Sequence, residues 1–245
     1  RDPQVADETA TAGAWFGVLP GPNPPPCGWV GSGLHGGHGW ARGDLRFLDL
    51  LSAAGIGVVR EEFGWSGIEK VKGQYAVSPR VEQFVEAVHE RGIRLNLLLT
   101  YGNGLYENPL DPEAYARWAA WMAVHFAGRV SDFEIWNEPA NFLFGKQYGG
   151  ERFGDAPWIG KFVELSLKAG AAIRAVRPEA TVVLCAEDVW PTLKQMLEEG
   201  IGPAGHVISM HPYCHGQPRP EREWFLKDGG RELRAVSRTH GGPER

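Results

Sequence analysis

The sequence predicts an α/β protein of the (β/α)8-barrel class, and three observations carry that prediction. Segments with the features of β-strands alternate with segments of helical periodicity six times along the 245 residues. The strand segments are nearly continuous apolar runs, as in parallel sheets whose two faces are both covered. Polar side chains gather where the strands end, and in a barrel all of those ends meet at one mouth.

Composition and charge argue against several classes of function. The chain is 43% apolar and 22% charged, with a net charge of −5 and a pI near 5.9. No basic stripe is present, which argues against a nucleic-acid binder. No apolar run approaches the roughly 18 residues that a membrane span needs. The three cysteines, Cys27, Cys185 and Cys214, form no CxxC pair and no zinc pattern, so we predict no metal and no cofactor.

We predict a polar tail at residues 1–12 and a single barrel domain over 13–245. Residues 21–40 are rich in proline and glycine and are predicted to form a loop. Strands are predicted at 15–20, 56–63, 94–101, 130–138, 180–187 and 206–213. Helices are predicted at 44–54, 79–90, 112–126, 158–176, 190–199 and 221–238.

Glycine and proline set most of the helix boundaries. Gly55 is placed to end the first helix, Gly92 the second and Gly128 the third, because glycine adopts the left-handed conformation at helix ends. Pro178 follows the fourth helix and prevents its continuation.

A doubly wound open sheet is the alternative architecture. An open sheet that binds a nucleotide carries a Gly-rich phosphate loop after an early strand, and neither GxGxxG in that context nor GxxxxGK[ST] is present. An open sheet would also spread the strand-end polar groups along an edge, so we favour the barrel. These groups are Arg60 and Glu62, Tyr101 and Asn103, Asn137 and Glu138, Glu187 and Asp188, and His211 and Tyr213.

The segment FEIWNEP, residues 133–139, ends a buried strand with an amide and a carboxylate side by side. Glycosidic bond cleavage needs an acid near the leaving oxygen and a second carboxylate at the anomeric carbon. Partial burial raises the pKa of a carboxyl group and lets it hold a proton for delivery. The neighbouring amide can bind a sugar hydroxyl, and Pro139 ends the strand. Taken alone, the tripeptide NEP could also end a strand without any catalytic role.

Several segments together resemble the superfamily of retaining β-glycosidases built on (β/α)8 barrels, which is clan A. The closest likeness is to glycoside hydrolase family 39, followed by cellulase-like family 5. VVREEFGWSGIEKVKGQY (58–75) is similar to the second-strand segment of that group and RGIRLNLLLTYGN (91–103) to its third. FEIWNEP is similar to the fourth strand and SMHPY (209–213) to the sixth. The resemblance extends from about residue 16 to residue 213.

The resemblance implies a catalytic set. Glu138 would be the acid/base, Asn137 would bind the hydroxyl next to the anomeric carbon, and Arg60 would orient the partner carboxylate and keep it ionised. His211 and Tyr213 would contact the nucleophile or the sugar. From the residues alone, Arg60 could instead pair with the glutamate two positions later, and His211 could be a hydrogen-bonded core histidine.

A second set of residues would bind the substrate. Trp136 is a weaker candidate for stacking on a sugar, because strand alternation points it away from Asn137. The loop HGGHGW (35–40), with His35, His38 and Trp40, would rim the first subsite. Its Gly-rich spacing without a carboxylate argues against a metal site. The substrate-binding set is Glu62, Trp65, Tyr101, Asn103, Glu187, Trp190, His35 and Trp40.

In the family, the nucleophile ends the seventh strand. We expect strands seven and eight, and this nucleophile, to lie outside the chain, since residues 239–245 look like the lead-in to strand seven. Three explanations stay open. The chain could be a piece of a longer enzyme, or a short barrel completed by a second copy, which predicts a homo-oligomer. Otherwise another carboxylate, Glu62 or Glu187, takes the role.

Two further functional classes stay open. A catalytically silent barrel would bind carbohydrate without turnover. A barrel of the aldolase or isomerase kind usually needs a Schiff-base lysine or a metal cluster, and no lysine lies at a predicted strand end. We expect a carbohydrate substrate, no nucleic acid and no membrane as partners. The substrate class favours a secreted or periplasmic location, while the sugar and the linkage stay open.

Overall fold

A computed structural model describes residues 27–34, 44–139, 158–187, 190–211 and 230–241. Its strands are β1 (Cys27–Gly33), β2 (Ile56–Gly64), β3 (Arg94–Thr100), β4 (Asp132–Ile135), β5 (Thr181–Glu187) and β6 (Val207–Met210). Its helices are α1 (Phe47–Ala53), α2 (Trp65–Ile68), α3 (Pro79–Glu90), α4 (Pro112–His125), α5 (Ile159–Val176), α6 (Trp190–Glu198) and α7 (Gly230–Thr239), with a 3-10 turn at Gly202–Ala204.

The six strands form one parallel sheet in the order β1-β2-β3-β4-β5-β6. Each strand therefore pairs with the next strand of the chain. A doubly wound sheet reverses its strand order near the middle, whereas a (β/α) barrel adds each new strand on the same side. The topology confirms the predicted fold class, with six β/α units forming part of a barrel. The predicted homo-oligomer and the domain bounds stay predictions.

Local signals place the helices where the sequence predicted them. Ser78 and Asp111 cap α3 and α4, and each side chain accepts a hydrogen bond from a backbone N–H three residues on. Gly55, Gly92 and Gly128 follow α1, α3 and α4 with φ angles of 73°, 64° and 81°. This left-handed conformation strains other residues, so these glycines end the helices.

The first strand differs from the prediction. We predicted a loop at 21–40, but Cys27–Gly33 lies inside it and pairs with β2. A glycine-rich strand carries no apolar alternation, so its sequence does not reveal it. At Gly31 a Cβ would lie 3.0 Å from the backbone oxygen of Val58, which explains why a glycine stands there. The strand predicted at 15–20 and the tail at 1–12 lie outside the described residues.

Two strands are shorter than predicted. β4 covers Asp132–Ile135 instead of 130–138, and β6 covers Val207–Met210 instead of 206–213. The reason at β4 is the backbone of Trp136 and Glu138, whose φ angles of 68° and 45° end the extended conformation. Part of the helix predicted at 221–238 is present as α7, and residues 212–229 lie outside the described part of the chain.

The two faces of the sheet have different roles. Phe63 of β2 packs against Phe84 of α3 and Phe126 near the end of α4, with ring centroids 6.4 and 6.2 Å apart. This face is the buried layer between sheet and helices. Arg60 and Glu62 alternate with Phe63 and lie on the opposite, inner face, where both are half-exposed. None of the helices within the described ranges is long and apolar enough to cross a membrane.

Candidate active site

A fully buried carboxylate, Glu134 of β4, organises the inner face. Arg60 donates from Nε to Glu134 Oε2 at 2.9 Å and from Nη2 to Oε1 at 3.1 Å. Asn96 of β3 donates from Nδ2 to Glu134 Oε2 at 2.6 Å. A buried carboxylate is tolerated when it is paired and hydrogen-bonded, and Glu134 has both kinds of partner. Three neighbouring strands are thereby joined through one side chain.

Arg60 extends this network to the predicted active-site amide. Its Nη2 also donates to Asn137 Oδ1 at 2.9 Å. Because a guanidinium can donate but not accept, the oxygen of the Asn137 amide must face Arg60 and its NH2 group must face away. The predicted catalytic residues Arg60 and Asn137 are therefore in direct contact, and the amide has one defined orientation.

Tyr101, at the end of β3, links Asn137 to Glu62. Burial raises the pKa of the Tyr101 phenol, the negative charge of Glu62 raises it further, and a hydrogen bond with Asn137 lowers it. Because the Asn137 oxygen already accepts from Arg60, its NH2 group is the end that donates to the Tyr101 oxygen. The phenol in turn donates to Glu62 Oε2 at 3.4 Å. Polar groups of three strand ends thus form one hydrogen-bonded chain.

Glu138 contacts His211, which directly follows β6. The distance from His211 Nδ1 to Glu138 Oε1 is 2.7 Å, and the two side chains are 16% and 21% exposed. The structure places His211 on the predicted acid/base, while its contact with the nucleophile or the sugar stays a prediction. The contact holds the Oε1 atom of the Glu138 carboxyl group in place.

The backbone is strained at this place. Among the described residues, three other than glycine have positive φ angles, namely Tyr101 at 50°, Trp136 at 68° and Glu138 at 45°. Tyr101 and Trp136 directly follow the adjacent strands β3 and β4, and Glu138 lies two residues after Trp136. Such conformations cost about 1–3 kcal/mol each and persist where the surroundings fix them, often at active sites. The strain turns Glu138 to the strand end where the other polar groups gather.

Two predicted substrate-binding residues lie in the core instead. Trp65 has no exposed surface, because it begins α2 and its ring stacks on Trp118 with centroids 5.8 Å apart. Asn103 is 2% exposed and donates to the backbone oxygen of Glu69. Neither side chain has a surface that could meet a sugar, so both are left out of the proposed site. Trp136, already the weaker candidate, is 1% exposed.

Several predicted residues cannot be placed in the site. Glu187 is the last residue of β5 and Trp190 the first of α6, and their side chains lie outside the described part of the structure. Tyr213, His35, His38 and Trp40 also lie outside the described residues.

The sequence analysis did not select Glu134 or Asn96. A signal existed, because each is a polar residue flanked on both sides by apolar residues within a strand, in FEI of β4 and LNL of β3. The strand register places Arg60 beside Asn96 and Asn96 beside Asp132, so positions 60, 96 and 134 fall on one face. An arginine on β2 and a glutamate on β4, on the same face of the sheet and separated only by Asn96 of β3, predict an ion pair.

Among the described residues, the opposite end of the sheet has no comparable group of polar side chains. A cavity of about 340 Å³ lies near the beginnings of β3 and β4 and is lined by Arg94 and Arg129, among others. Arg94 pairs with Asp132 at 2.9 Å and Arg129 with Glu82 at 2.8 Å, so carboxylates already neutralise both cations. In the described ranges, no group of three or more His, Cys, Asp or Glu side chains could hold a metal ion.

Solved structures of known proteins share this fold. A family 39 glycoside hydrolase from the gut symbiont Bacteroides cellulosilyticus WH2 matches at a TM-score of 0.59 and 20% identity, over 76% of this chain and 38% of that one. A monomeric β-xylosidase from Caulobacter crescentus CB15 matches at 0.57 and 18%, over 75% and 41%. The β-glycosidase BGL167 matches at 0.51 and 16%, over 71% and 55%.

The chain shares its fold with these glycoside hydrolases. This confirms the resemblance that the motifs predicted, with family 39 among the neighbours. At these identities the likeness shows the fold, and the chain spans less than two thirds of the length of each of these neighbours. No protein-family model and no curated protein matches the chain.

Proposed function

We propose that the chain carries the acid/base side of a retaining β-glycosidase site, with Glu138 as the acid/base. The observation that carries this proposal is the convergence of Arg60, Asn137, Tyr101 and the Glu138–His211 pair from four strands onto one end of the sheet. That end is where (β/α) barrels place their chemistry. The solved neighbours that share the fold include glycoside hydrolases.

In the proposed reaction Glu138 acts twice. It first donates its proton to the leaving glycosidic oxygen while a second carboxylate attacks the anomeric carbon and forms a glycosyl-enzyme intermediate. Glu138 then takes a proton from water, which displaces the enzyme carboxylate and gives a product with retained configuration. Asn137 binds the hydroxyl next to the anomeric carbon, and the contact with His211 holds the Glu138 carboxyl group in place.

The second carboxylate should lie about 5–5.5 Å from Glu138. Arg60 is suited to hold it, because within the described part of the chain no acceptor is bound at Nη1. Glu62 and Glu187 are the strand-end candidates in this chain, and a carboxylate of another segment or another copy is the alternative. The substrate would be an oligo- or polysaccharide, for which a secreted or periplasmic location is the natural one.

The test is hydrolysis of a panel of aryl β-glycosides and soluble polysaccharides. Glu138→Gln should abolish turnover of substrates with poor leaving groups, because it keeps the shape of the side chain and removes its proton. Glu90→Gln is the matched control, since Glu90 is an exposed residue at the end of α3. Equal turnover in wild type and Glu138→Gln would contradict the proposal.

Azide identifies the role of Glu138 more directly. In Glu138→Ala, azide can enter the space of the missing carboxyl group and attack the glycosyl-enzyme intermediate without base catalysis. We expect azide to restore turnover of an activated aryl glycoside and to give a glycosyl azide of retained configuration. An inverted azide would make Glu138 the nucleophile instead.

The alternative function, a catalytically silent barrel that binds carbohydrate, predicts a different result. A silent barrel that binds carbohydrate would show no turnover in either variant, with affinity for oligosaccharides retained in Glu138→Gln. Isothermal titration of the same polysaccharide panel separates this result from a chain that neither binds nor hydrolyses.

A further inference from the structure

We propose that Glu134 is a positioning residue, which fixes the orientation of the Asn137 amide through Arg60. The expected effect of Glu134 on turnover rests on the proposed function. The orientation of the Asn137 amide does not depend on the proposed function. Within the described part of the chain Glu134 binds Arg60 and Asn96, neither of which is proposed to touch the sugar, so we assign it no catalytic role.

The geometry makes Arg60 a rigid connector. Two of its nitrogens bind the two oxygens of Glu134 side-on, at 2.9 and 3.1 Å, and this arrangement fixes the plane of the guanidinium. The second hydrogen of the same Nη2 then points to Asn137 Oδ1 at 2.9 Å. Because the guanidinium is planar and Glu134 fixes two of its nitrogens, the direction of the remaining Nη2 hydrogen is also fixed. The position of Glu134 therefore sets the position of the Asn137 oxygen.

Burial makes this arrangement stable. Glu134 is fully buried, while the Arg60 side chain is 29% exposed. The carboxylate therefore lies inside the sheet, and the guanidinium extends from it toward Asn137 at the strand ends. Asn96 holds the carboxylate from the neighbouring strand at 2.6 Å. Without the negative charge, Arg60 would be drawn to other carboxylates at the strand ends, and Glu62 lies two residues away on the same face of β2.

The orientation matters because an amide has two different ends. With its oxygen bound to Arg60, Asn137 presents its NH2 group to the Tyr101 hydroxyl. A sugar hydroxyl can accept from this group. If Arg60 leaves, the amide can rotate and present its oxygen instead, which reverses the hydrogen bond that a substrate would meet.

The kinetic test compares Glu134→Gln with Glu61→Gln. Glu61 is a matched control, because it is 1% exposed and lies on the opposite, helix-facing side of β2. We expect Glu134→Gln to lower kcat by about 10- to 100-fold with a smaller change in KM, because a displaced group mainly costs transition-state contacts. Glu61→Gln should stay within about twofold of wild type per folded molecule. Equal losses in both variants would overturn the proposal.

A double-mutant comparison tests the route through Asn137. Asn137→Ala should lower kcat strongly in the wild-type background and hardly further in Glu134→Gln, because residues that act as a unit are not additive. Full additivity of the two losses would overturn the proposal.

A measurement without turnover separates this inference from the proposed function. The ¹⁵N signal of the Asn137 side-chain amide, identified by its disappearance in Asn137→Asp, should move in Glu134→Gln and stay in place in Glu61→Gln. If no substrate is hydrolysed, the proposed function fails, but a signal that moves in this way still supports the positioning role. A signal that stays in place in Glu134→Gln overturns it. If Glu134→Gln does not fold, Asn96→Ala replaces it and should move the signal in the same way.

Discussion

Two carboxylates of this chain are equally buried but differ in their partners. Glu69, after α2, accepts hydrogen bonds from the Trp65 indole, the Tyr106 hydroxyl at 2.7 Å and the Gly73 backbone N–H at 2.6 Å. All three donors are neutral. Glu134 is held by the cation of Arg60 and by one neutral amide. Neither carboxylate has any exposed surface.

Two equally buried carboxylates can therefore have different structural roles, depending on their hydrogen-bond donors. The indole and backbone donors of Glu69 each have a single N–H, so their hydrogen bonds end at the carboxylate. An arginine has five donors, so it can bind Glu134 and still reach Asn137. Among the described residues, the Glu69 cluster continues only through the Tyr106 hydroxyl to Arg117, and it stabilises the loop after α2. The Glu134 cluster continues through Arg60 to the strand ends.

The largest effect on stability should come from Glu69→Ala. The substitution leaves an indole N–H, a hydroxyl and a backbone N–H without their acceptor in the core, and we expect a loss of about 3–5 kcal/mol in the free energy of unfolding. Urea denaturation measures it, and kcat per folded molecule should not change. A loss below about 1 kcal/mol would mean that Glu69 is no more important to the fold than an average exposed residue.

A smaller loss is expected for Trp65→Phe. Phenylalanine keeps most of the ring contacts with Trp118 but removes the indole N–H that Glu69 accepts, so unfolding should become easier by about 1–3 kcal/mol. Because Trp65 has no exposed surface, KM for any sugar substrate should be unchanged. A raised KM with unchanged stability would restore Trp65 to the substrate-binding set.

The comparison also explains what could be predicted from the sequence. The alternation of strands and helices, and the capped bounds of α3 and α4, depend on neighbours along the chain. Glu134 and Trp65 depend on partners in other strands and helices. An aromatic residue after a strand looks the same in a sequence whether it stacks on Trp118 or on a sugar. β1 was missed because its pairing with β2, not its own pattern, makes it a strand.

The smallest expected effects are changes in the pKa values of two tyrosines, Tyr106 beside Glu69 and Tyr101 beside Glu62. Burial is the largest cause that raises the pKa of Tyr106, followed by its hydrogen bond to Glu69, and the result is about 12. Burial likewise raises the pKa of Tyr101, with the charge of Glu62 second. We expect Glu69→Gln to lower the pKa of Tyr106 and leave Tyr101 unchanged, and Glu62→Gln to do the reverse, because each substitution removes one negative charge beside one phenol.

Absorbance titration at alkaline pH measures both phenols, and Tyr101→Phe and Tyr106→Phe assign them. A phenol whose pKa is raised by folding favours the neutral form in the native state. Its contribution to stability is complete below the unfolded pKa of about 10 and is lost as the pH rises through the folded value. For Tyr106 this window runs from about 10 to about 12. If Glu62→Gln lowers neither pKa, the link from Asn137 through Tyr101 to Glu62 does not form, and the hydrogen-bonded chain ends at Asn137.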